Sequence, residues 1–330
     1  MLKNLFELLA PGGSRARLSI LIFHRVLPAP DPLLPDLLDA SGFDEVCRWL
    51  RAWFSVLPLD EAVQGLAAGT LPARTAAITF DDGYADNHDQ ALPILQRHGL
   101  AATFFVATGY LDGGRMFNDS ITETMRRAAG AELDLGGTLL AELGRQNIAT
   151  LEARRCAIDV LQRALRPHPI AYREEFCAQL LKRAGVERLP QDLMMSSEQV
   201  RALHGGGMQI GAHTVQHPIL GGLDDEAATQ EIVRSRQTLE DLLGQRVGLF
   251  AYPNGRPGTD YSARTVELVR RAGFDAAVST AWGVAHEGSD RFQLPRFTPW
   301  DRSRLRFGLR MLGNLRRGPE ARVHSVVADA

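Results

Sequence analysis

Two adjacent aspartates, Asp81 and Asp82, follow the apolar run 76–80 at the point where a buried strand is expected to end. Successive side chains of a strand point to opposite faces, so both carboxylates can serve one site only if the chain turns there. Gly83 permits such a turn. Because two buried carboxylates repel each other unless a cation lies between them, the pair predicts a cation site.

Two histidines four residues apart, His213 and His217, lie in the segment GAHTVQHP. That spacing predicts a helical turn with both imidazoles on one side, as in other two-histidine metal sites. With one aspartate they make three ligands, and the open fourth position is typical of a catalytic zinc-like site that activates water. The other aspartate is then available as general base. A lone histidine pair is usually a surface feature and a lone aspartate pair a turn or helix cap; their co-occurrence at strand ends favours a metal site.

The elements that must position these residues alternate between strands and helices, which predicts an α/β fold with a mostly parallel sheet. Seven or eight such units favour a closed or nearly closed barrel over an open sheet, and no GxGxxG motif follows the first strand. We therefore expect a distorted (β/α) barrel of about seven strands. The predicted strands are 18–23, 54–57, 76–80, 101–107, 208–212, 247–251 and 275–279, with 292–297 as a further candidate. The predicted helices are 43–53, 60–68, 87–98, 197–204, 224–243 and 261–272.

Residues 112–196 interrupt this alternation, because three segments in that range have helical patterns without strands between them. We therefore expect a single barrel domain over 1–330 that carries a helical insertion at 112–196. A C-terminal basic helix is predicted over 302–317, with Leu305, Leu309 and Leu312 on one face. That helix is expected to pack on the barrel, and a docking surface for anionic lipid is the alternative.

Composition excludes several classes of protein. The net charge of -2 and the isoelectric point near 6.5 argue against a nucleic-acid partner. The three cysteines form no CxxC pair, which predicts a reducing compartment without a disulfide framework. With no stretch that resembles a secretory signal or a membrane span, we expect a cytoplasmic protein, with peripheral contact at the inner membrane face as the alternative.

The segments TFDDG, HTVQHP, FAYPNG and LPRF resemble, in order, the motifs of the polysaccharide deacetylases with a NodB homology domain (carbohydrate esterase family four). The similarity spans about 76–111 and 196–298. It implies that Asp81 is the general base and that Asp82, His213 and His217 hold a divalent metal, with zinc expected first and cobalt or nickel as alternatives. By the same resemblance, the Thr214 hydroxyl braces the metal loop by hydrogen bonding.

Two departures from the family pattern concern the partners of the base. Ala251 stands where the family has a base-orienting arginine, a feature that resembles the branch acting on poly-β-1,6-N-acetylglucosamine. LPRF supplies Arg296 where the family has a histidine as general acid, so Arg296 is a candidate to orient the base. His24, after the first strand, is the candidate acid or substrate contact, with a hydrogen-bonded strand-end histidine as the alternative.

Three further expectations concern residues around these motifs. The backbone N–H of Asn254 is the expected oxyanion donor by its position in the motif. His88 and His98 are expected on the surface, whereas His286 lies in a predicted loop that can approach the site.

The implied activity is removal of N-acetyl groups from an amino-sugar polysaccharide, or from its lipid-linked precursor, by metal-activated water. A glycosidase is the first alternative, although its two carboxyls must flank the sugar about 5 to 9.5 Å apart. The others are a catalytically impaired glycan-binding barrel and a hydrolase acting on another acetylated substrate, including an O-acetylated one.

Overall fold

The largest sheet in the computed structural model, which describes residues 2–317 and 321–324, is parallel and has seven strands. All seven predicted strands are present, most of them shorter than predicted by one or two residues at an end. They are β1 Ser19–Phe23, β2 Ser55–Val56, β3 Thr75–Phe80, β4 Thr103–Val106, β5 Gln209–Ala212, β6 Leu249–Ala251 and β7 Ala276–Val278. The sheet order is β1-β3-β4-β5-β6-β7, and β2 pairs with the start of β3.

The segment after β7 joins the two ends of this sheet. Leu294 forms a parallel bridge to Val278 of β7, and Phe297 forms one to Leu21 of β1. The predicted strand 292–297 is therefore not a regular strand but a pair of single bridges, because Pro295 between them has no N–H for a continuous ladder. This closing segment completes a distorted (β/α) barrel, as predicted.

Alternate residues of the strands contribute to two different apolar cores. Ala77 and Phe105 pack in one cluster with residues of β6 and β7, while Ile78 and Phe104 pack in another with the surrounding helices. Burial on both faces explains why the strands read as continuous apolar runs in the sequence.

The six predicted helices of the barrel are all present, although the one predicted over 87–98 begins as a π-helical turn, Asn87–Ala91. The part of the chain that the structure describes has eleven α-helices: α1 Leu2–Leu9, α2 Ala40–Trp53, α3 Leu59–Ala67, α4 Leu92–His98, α5 Phe117–Arg127, α6 Leu151–Leu165, α7 Ile170–Arg183, α8 Ser197–Gly205, α9 Asp225–Leu243, α10 Ala263–Arg271 and α11 Arg304–Leu315. None of these helices, within the described residues, has the length and apolar character needed to cross a membrane. Two small strand pairs complete the structure, Val26–Leu27 with Leu38–Asp39 and Glu132–Asp134 with Arg145–Asn147.

The chain divides into two units. The barrel unit comprises Met1–Ala29, Leu37–Leu111 and Met195–Ala330, and the second unit comprises Pro30–Asp36 and Asp112–Met194. The second unit has its own core, to which α5, α6 and α7 contribute.

One part of the second unit differs from the expectation of helices alone. One of the three segments with a helical pattern covers 139–165, and its first part instead belongs to the antiparallel hairpin of Glu132–Asp134 and Arg145–Asn147. Gly144, within that segment, has a φ angle of 63°, which the interior of a helix does not tolerate. The helix begins only at Leu151, where the Thr150 side chain caps it by accepting a hydrogen bond from the Ala153 N–H.

The predicted C-terminal helix is present as α11, but a different face packs on the barrel. Phe307, Met311 and Leu315 are buried, whereas Leu305 and Leu309 are 62% and 54% exposed. The helix therefore packs on the barrel as expected, but Leu305 and Leu309 of the predicted face point outward, while Leu312 is partly buried and packs against the core.

Candidate active site

The candidate site lies where parallel strands end. Because the strands run in one direction, their carboxyl ends meet on one side of the barrel, the side on which such folds build their active sites. The residues that follow these ends are His24 after β1, Asp81 and Asp82 after β3, His213 to His217 after β5 and Asn254 after β6.

Asp81 is 2% exposed and is held by Arg296, which is fully buried. Arg296 Nη1 donates to Asp81 Oδ1 and Arg296 Nη2 donates to Asp81 Oδ2, each at 2.7 Å. The guanidinium also donates through Nε to the Ser279 carbonyl and through Nη1 to the Thr79 hydroxyl. This planar, two-pronged contact fixes the carboxylate plane, which a lysine cannot do.

The charge of Arg296 decides the ionisation of Asp81. Burial by itself raises the pKa of Asp81, but the charges of Arg296 and His213 outweigh it and lower the pKa below its usual value. Asp81 is therefore a carboxylate at neutral pH.

Asp82, His213 and His217 bring one ligand atom each to a common point. Asp82 Oδ1 lies 3.4 Å from Nε2 of His213 and 3.4 Å from Nε2 of His217. Two ligands of a tetrahedral zinc ion, each bonded at about 2.0–2.1 Å, lie about 3.3–3.4 Å apart. Asp82 Oδ1 is also buried without a hydrogen-bond partner among the described residues, so the donor set fits a metal.

The surroundings of the two imidazoles shift their pKa values in opposite directions. His213 Nδ1 lies 2.8 Å from the Ala251 carbonyl and donates to it, so in the neutral imidazole the lone pair is on Nε2, which faces Asp82. Burial lowers the pKa of His213, but Asp81 and Asp82 outweigh it and raise that pKa. Burial lowers the pKa of His217 to about 4, so this imidazole is neutral at pH 7 and can act as a ligand.

The histidine loop is not a helical turn, so that prediction was wrong. Residues 213–217 are irregular, and Thr214 and His217 have φ angles of 64° and 52°. Asp82 at 77° and Asn254 at 59° share this left-handed conformation. These four are among only six such non-glycine residues in the described chain. Each costs about 1–3 kcal/mol, and strain of this kind clusters at functional sites.

Hydrogen bonds hold the histidine loop in this conformation. The Thr214 hydroxyl donates to the His213 carbonyl and accepts from the His217 N–H at 3.1 Å, which confirms the expected bracing bonds. Glu231 of α9 accepts from the N–H groups of Val215 and Gln216 at 2.9 and 2.8 Å. Sequence reasoning missed Glu231, and the only available signal was an acidic residue on the helix that follows the loop.

His24 is exposed and lies close enough to the carboxylates that its charge contributes to lowering the pKa of Asp81 and Asp82. Its backbone is held by the chain that follows the aspartate pair, because Asn87 Nδ2 donates to the His24 carbonyl at 2.9 Å. Asp86 binds the next two residues, Arg25 through an ion pair and Val26 through its N–H. Asp86 and Asn87 were also missed, although both lie within a few residues of the DD motif.

Asn254 lies in a tight turn after β6. The Thr280 hydroxyl donates to the Asn254 carbonyl at 2.7 Å, and the Thr280 N–H donates to the Gly255 carbonyl at 2.8 Å. Gly255 has a φ of 72°, and an added Cβ there would lie 2.9 Å from the Thr280 nitrogen. The turn that carries the Asn254 N–H is therefore fixed.

Three other histidines lie away from this cluster. His88 pairs with Asp89 and is partly exposed, as expected, whereas the His98 side chain pairs with Asp44 and is only 12% exposed, so its expected surface position is wrong. His286 follows Ala285, which bridges to Leu18 at the amino end of β1, and it lines a cavity of about 980 Å³ at that end of the barrel. The expectation that His286 approaches the site is therefore wrong.

The polysaccharide deacetylase family model matches residues 68–137 and 177–277, just over half of the chain. YxkH of Bacillus subtilis, described provisionally as a polysaccharide deacetylase, is 22% identical over 283 residues, which cover 85% of this chain and 71% of YxkH.

Solved structures of low identity share the fold. IcaB from Ammonifex degensii has a TM-score of 0.59 at 18% identity, with 91% of this chain and 98% of that chain covered. The Streptococcus pyogenes deacetylase PplD, solved in complex with acetate, has a TM-score of 0.57 at 20% identity, with 86% and 92% covered. With the family match and the motif residues gathered at one end of the barrel, the chain belongs to the polysaccharide deacetylase family.

Proposed function

We propose that this protein is a metal-dependent hydrolase that removes N-acetyl groups from an amino-sugar polysaccharide or from its lipid-linked precursor. One observation carries the proposal: a three-ligand set, Asp82 with His213 and His217, lies beside a second carboxylate, Asp81, that an arginine holds ionised. A metal-binding triad next to a fixed base is what hydrolysis of an unactivated amide requires.

Asp82, His213 and His217 would hold a divalent metal, and zinc suits a set of two imidazoles and one carboxylate. When bound, such a metal polarises a carbonyl and makes water acidic near neutral pH. The neutral state of His217 and the Nε2 lone pair of His213 are the ligand forms that this requires.

Asp81 would accept the proton of the attacking water. Arg296 supports this role in two ways, since it keeps the carboxylate ionised and holds its plane through two hydrogen bonds. The arginine that orients the base in other family members is replaced by Ala251, and Arg296 would do that work from the closing segment of the barrel.

Asn254 and His24 would complete the reaction. The Asn254 N–H, in a fixed left-handed turn, would donate to the oxygen that gains negative charge, a contact typically worth about 3 kcal/mol in the transition state. His24 would donate a proton to the leaving amine or contact the sugar. Its exposure suits either role, because the group that protonates a polymer substrate must be reachable from outside.

The substrate class rests on the motif pattern. The YPNG segment with Ala251 before it resembles the branch that deacetylates poly-β-1,6-N-acetylglucosamine. We therefore propose a β-linked N-acetylglucosamine polymer or a related exopolysaccharide as substrate.

The direct test combines metal analysis of the purified protein with product analysis on N-acetylglucosamine oligomers. We expect about one zinc-class ion per chain and release of acetate without new reducing ends. New reducing ends would identify a glycosidase. Bound metal without acetate release from any N-acetylated or O-acetylated glycan would instead identify a glycan-binding barrel.

A further inference from the structure

Large apolar side chains on the surface are concentrated around α1 and α11. The described chain has eight such side chains with more than a third of their area exposed, and six belong to this region. Leu5 and Leu8 lie on α1, Leu305 and Leu309 on α11, and the two helices contact each other. The other two members are Trp282 and Trp300.

The two tryptophans are connected to α11 through arginines. Their rings lie 5.0 Å apart between centroids, with Arg317 over Trp282 and Arg310 over Trp300. Trp282 follows the carboxyl end of β7, and Trp300 follows the closing segment. The six apolar residues, which we call the apolar patch, therefore continue from the helices toward loops on the side of the barrel that carries the candidate site.

The helix α11 is firmly fixed to the barrel on its inner side and apolar on its outer side. Phe307 packs against the rings of Trp49 and Trp53, and Asn314 donates to the Gly283 carbonyl. Leu305 and Leu309 point the other way. Because α11 is already ordered, a partner could bind its outer leucines without a further loss of backbone conformational entropy.

The same region is strongly basic although the chain as a whole is not. Between 300 and 317 there are six arginines against one acidic residue, Asp301, which gives +5 in a chain of net charge -2. Asp301 is buried and paired with Arg310. Arg306 and Arg316 are exposed, and within the described residues no carboxylate pairs with them.

We propose that α1, α11 and the two tryptophans form a docking surface for a membrane that contains anionic lipid. Leucines flanked by arginines on a fixed helix match the requirements of an interfacial helix, and indole rings are enriched at the level of the lipid headgroups. A second copy of the chain is a poorer occupant, because a two-fold interface through this patch would bring arginines against arginines. This docking would hold the candidate site near a membrane-borne glycan.

The test is binding of the purified protein to vesicles of phosphatidylcholine, with and without phosphatidylglycerol. We expect binding only to the anionic vesicles, weaker at high salt, with a blue shift of tryptophan fluorescence. Trp282 and Trp300 are exposed while Trp49 and Trp53 are buried, so the shift reports on the patch.

Two double variants separate the apolar and the ionic contributions. Leu305→Ser with Leu309→Ser should weaken binding at least about tenfold. Arg306→Gln with Arg316→Gln should weaken it about 30-fold at low salt, at about 1 kcal/mol per arginine. Matched controls, Leu151→Ser with Val233→Ser and Arg188→Gln with Arg234→Gln, alter exposed side chains of the same kind elsewhere and should bind like the unmodified protein.

Three results would overturn the proposal: no binding to anionic vesicles, equal binding to both vesicle types, or equal effects of patch and control variants. Self-association that the leucine variant abolishes, without vesicle binding, would also overturn it in favour of a second copy. The arginine variant keeps the test decisive if the leucine variant fails to fold. Vesicle binding needs no turnover, so its failure is distinguishable from failure of the proposed deacetylase activity.

Discussion

The guanidinium of Arg296 donates hydrogen bonds to both carboxylate oxygens of Asp81, each at 2.7 Å, although the two residues are 215 positions apart in the chain. The arginine lies on the segment that joins β7 to β1, and the aspartate lies at the end of β3. Closure of the barrel and orientation of the proposed base therefore depend on the same few residues.

Replacement of Arg296 should cost both stability and turnover. Arg296→Met leaves Asp81 buried without its partner, and we expect a loss of about 3–5 kcal/mol in the free energy of unfolding, measured by urea denaturation. Arg296→Lys keeps the charge but offers no planar pair of donors, so it should lose less stability and still show reduced kcat. Arg246→Met, which breaks an exposed pair with Asp275, should change stability by less than about 1 kcal/mol. Equal losses in the free energy of unfolding for Arg296→Met and Arg246→Met would show that the buried Arg296–Asp81 pair contributes no more to stability than the exposed pair.

Metal binding should stabilise the fold through the three-ligand set. Addition of zinc to metal-stripped protein should raise the melting temperature, because a ligand that binds only the folded state stabilises it. His217→Ala should abolish the increase, and His88→Ala, which alters a histidine away from the cluster, should preserve it. A zinc-dependent rise that survives in His217→Ala would place the metal elsewhere.

Glu231 should tune metal affinity without touching the metal. Its carboxylate accepts two backbone hydrogen bonds from the histidine loop, so Glu231→Ala should weaken metal binding about 10- to 100-fold, the usual range for outer partners of metal ligands. Competition with a chromophoric chelator measures this affinity. Glu226→Ala changes an exposed residue of the same helix and serves as control. Similar metal affinities for the two variants would show that Glu231 does not support the metal ligands.

The losses of kcat on replacing His24 and Asn87 should be coupled. His24→Ala is expected to lower kcat about 10²- to 10⁴-fold if the imidazole transfers a proton. Asn87→Ala removes the hydrogen bond that holds the His24 carbonyl and should lower kcat by a smaller factor. In the double variant the two losses should not add, because the second change acts through the first. Additive losses would mean that Asn87 does not position His24.

The fold could be predicted largely because its strands are buried on both faces and therefore read as short apolar runs. The closing segment was harder, since Pro295 interrupts its hydrogen bonds and leaves two single bridges, Leu294 to Val278 and Phe297 to Leu21. The hairpin before α6 was missed because a helical apolar spacing concealed Gly144, whose left-handed conformation interrupts the predicted helix.

Within the site, residue types and strand ends were sufficient to bring Asp81, Asp82, His213 and His217 together. Backbone conformation was not predictable from the four-residue histidine spacing, which fits a helical turn as well as the left-handed loop that exists. Glu231 and Asn87 were missed for a different reason. Both act through hydrogen bonds to backbone atoms, and the type and position of a residue in the sequence do not by themselves identify such contacts.

The most direct test of the central claim is acetate release by Asp81→Asn, measured together with metal content on the same preparation. We expect the variant to retain the full complement of metal, because Asp82, His213 and His217 are intact, and to lose nearly all turnover on N-acetylglucosamine oligomers. An Asp81→Asn protein that retains substantial acetate release with metal bound would show that Asp81 is not the base.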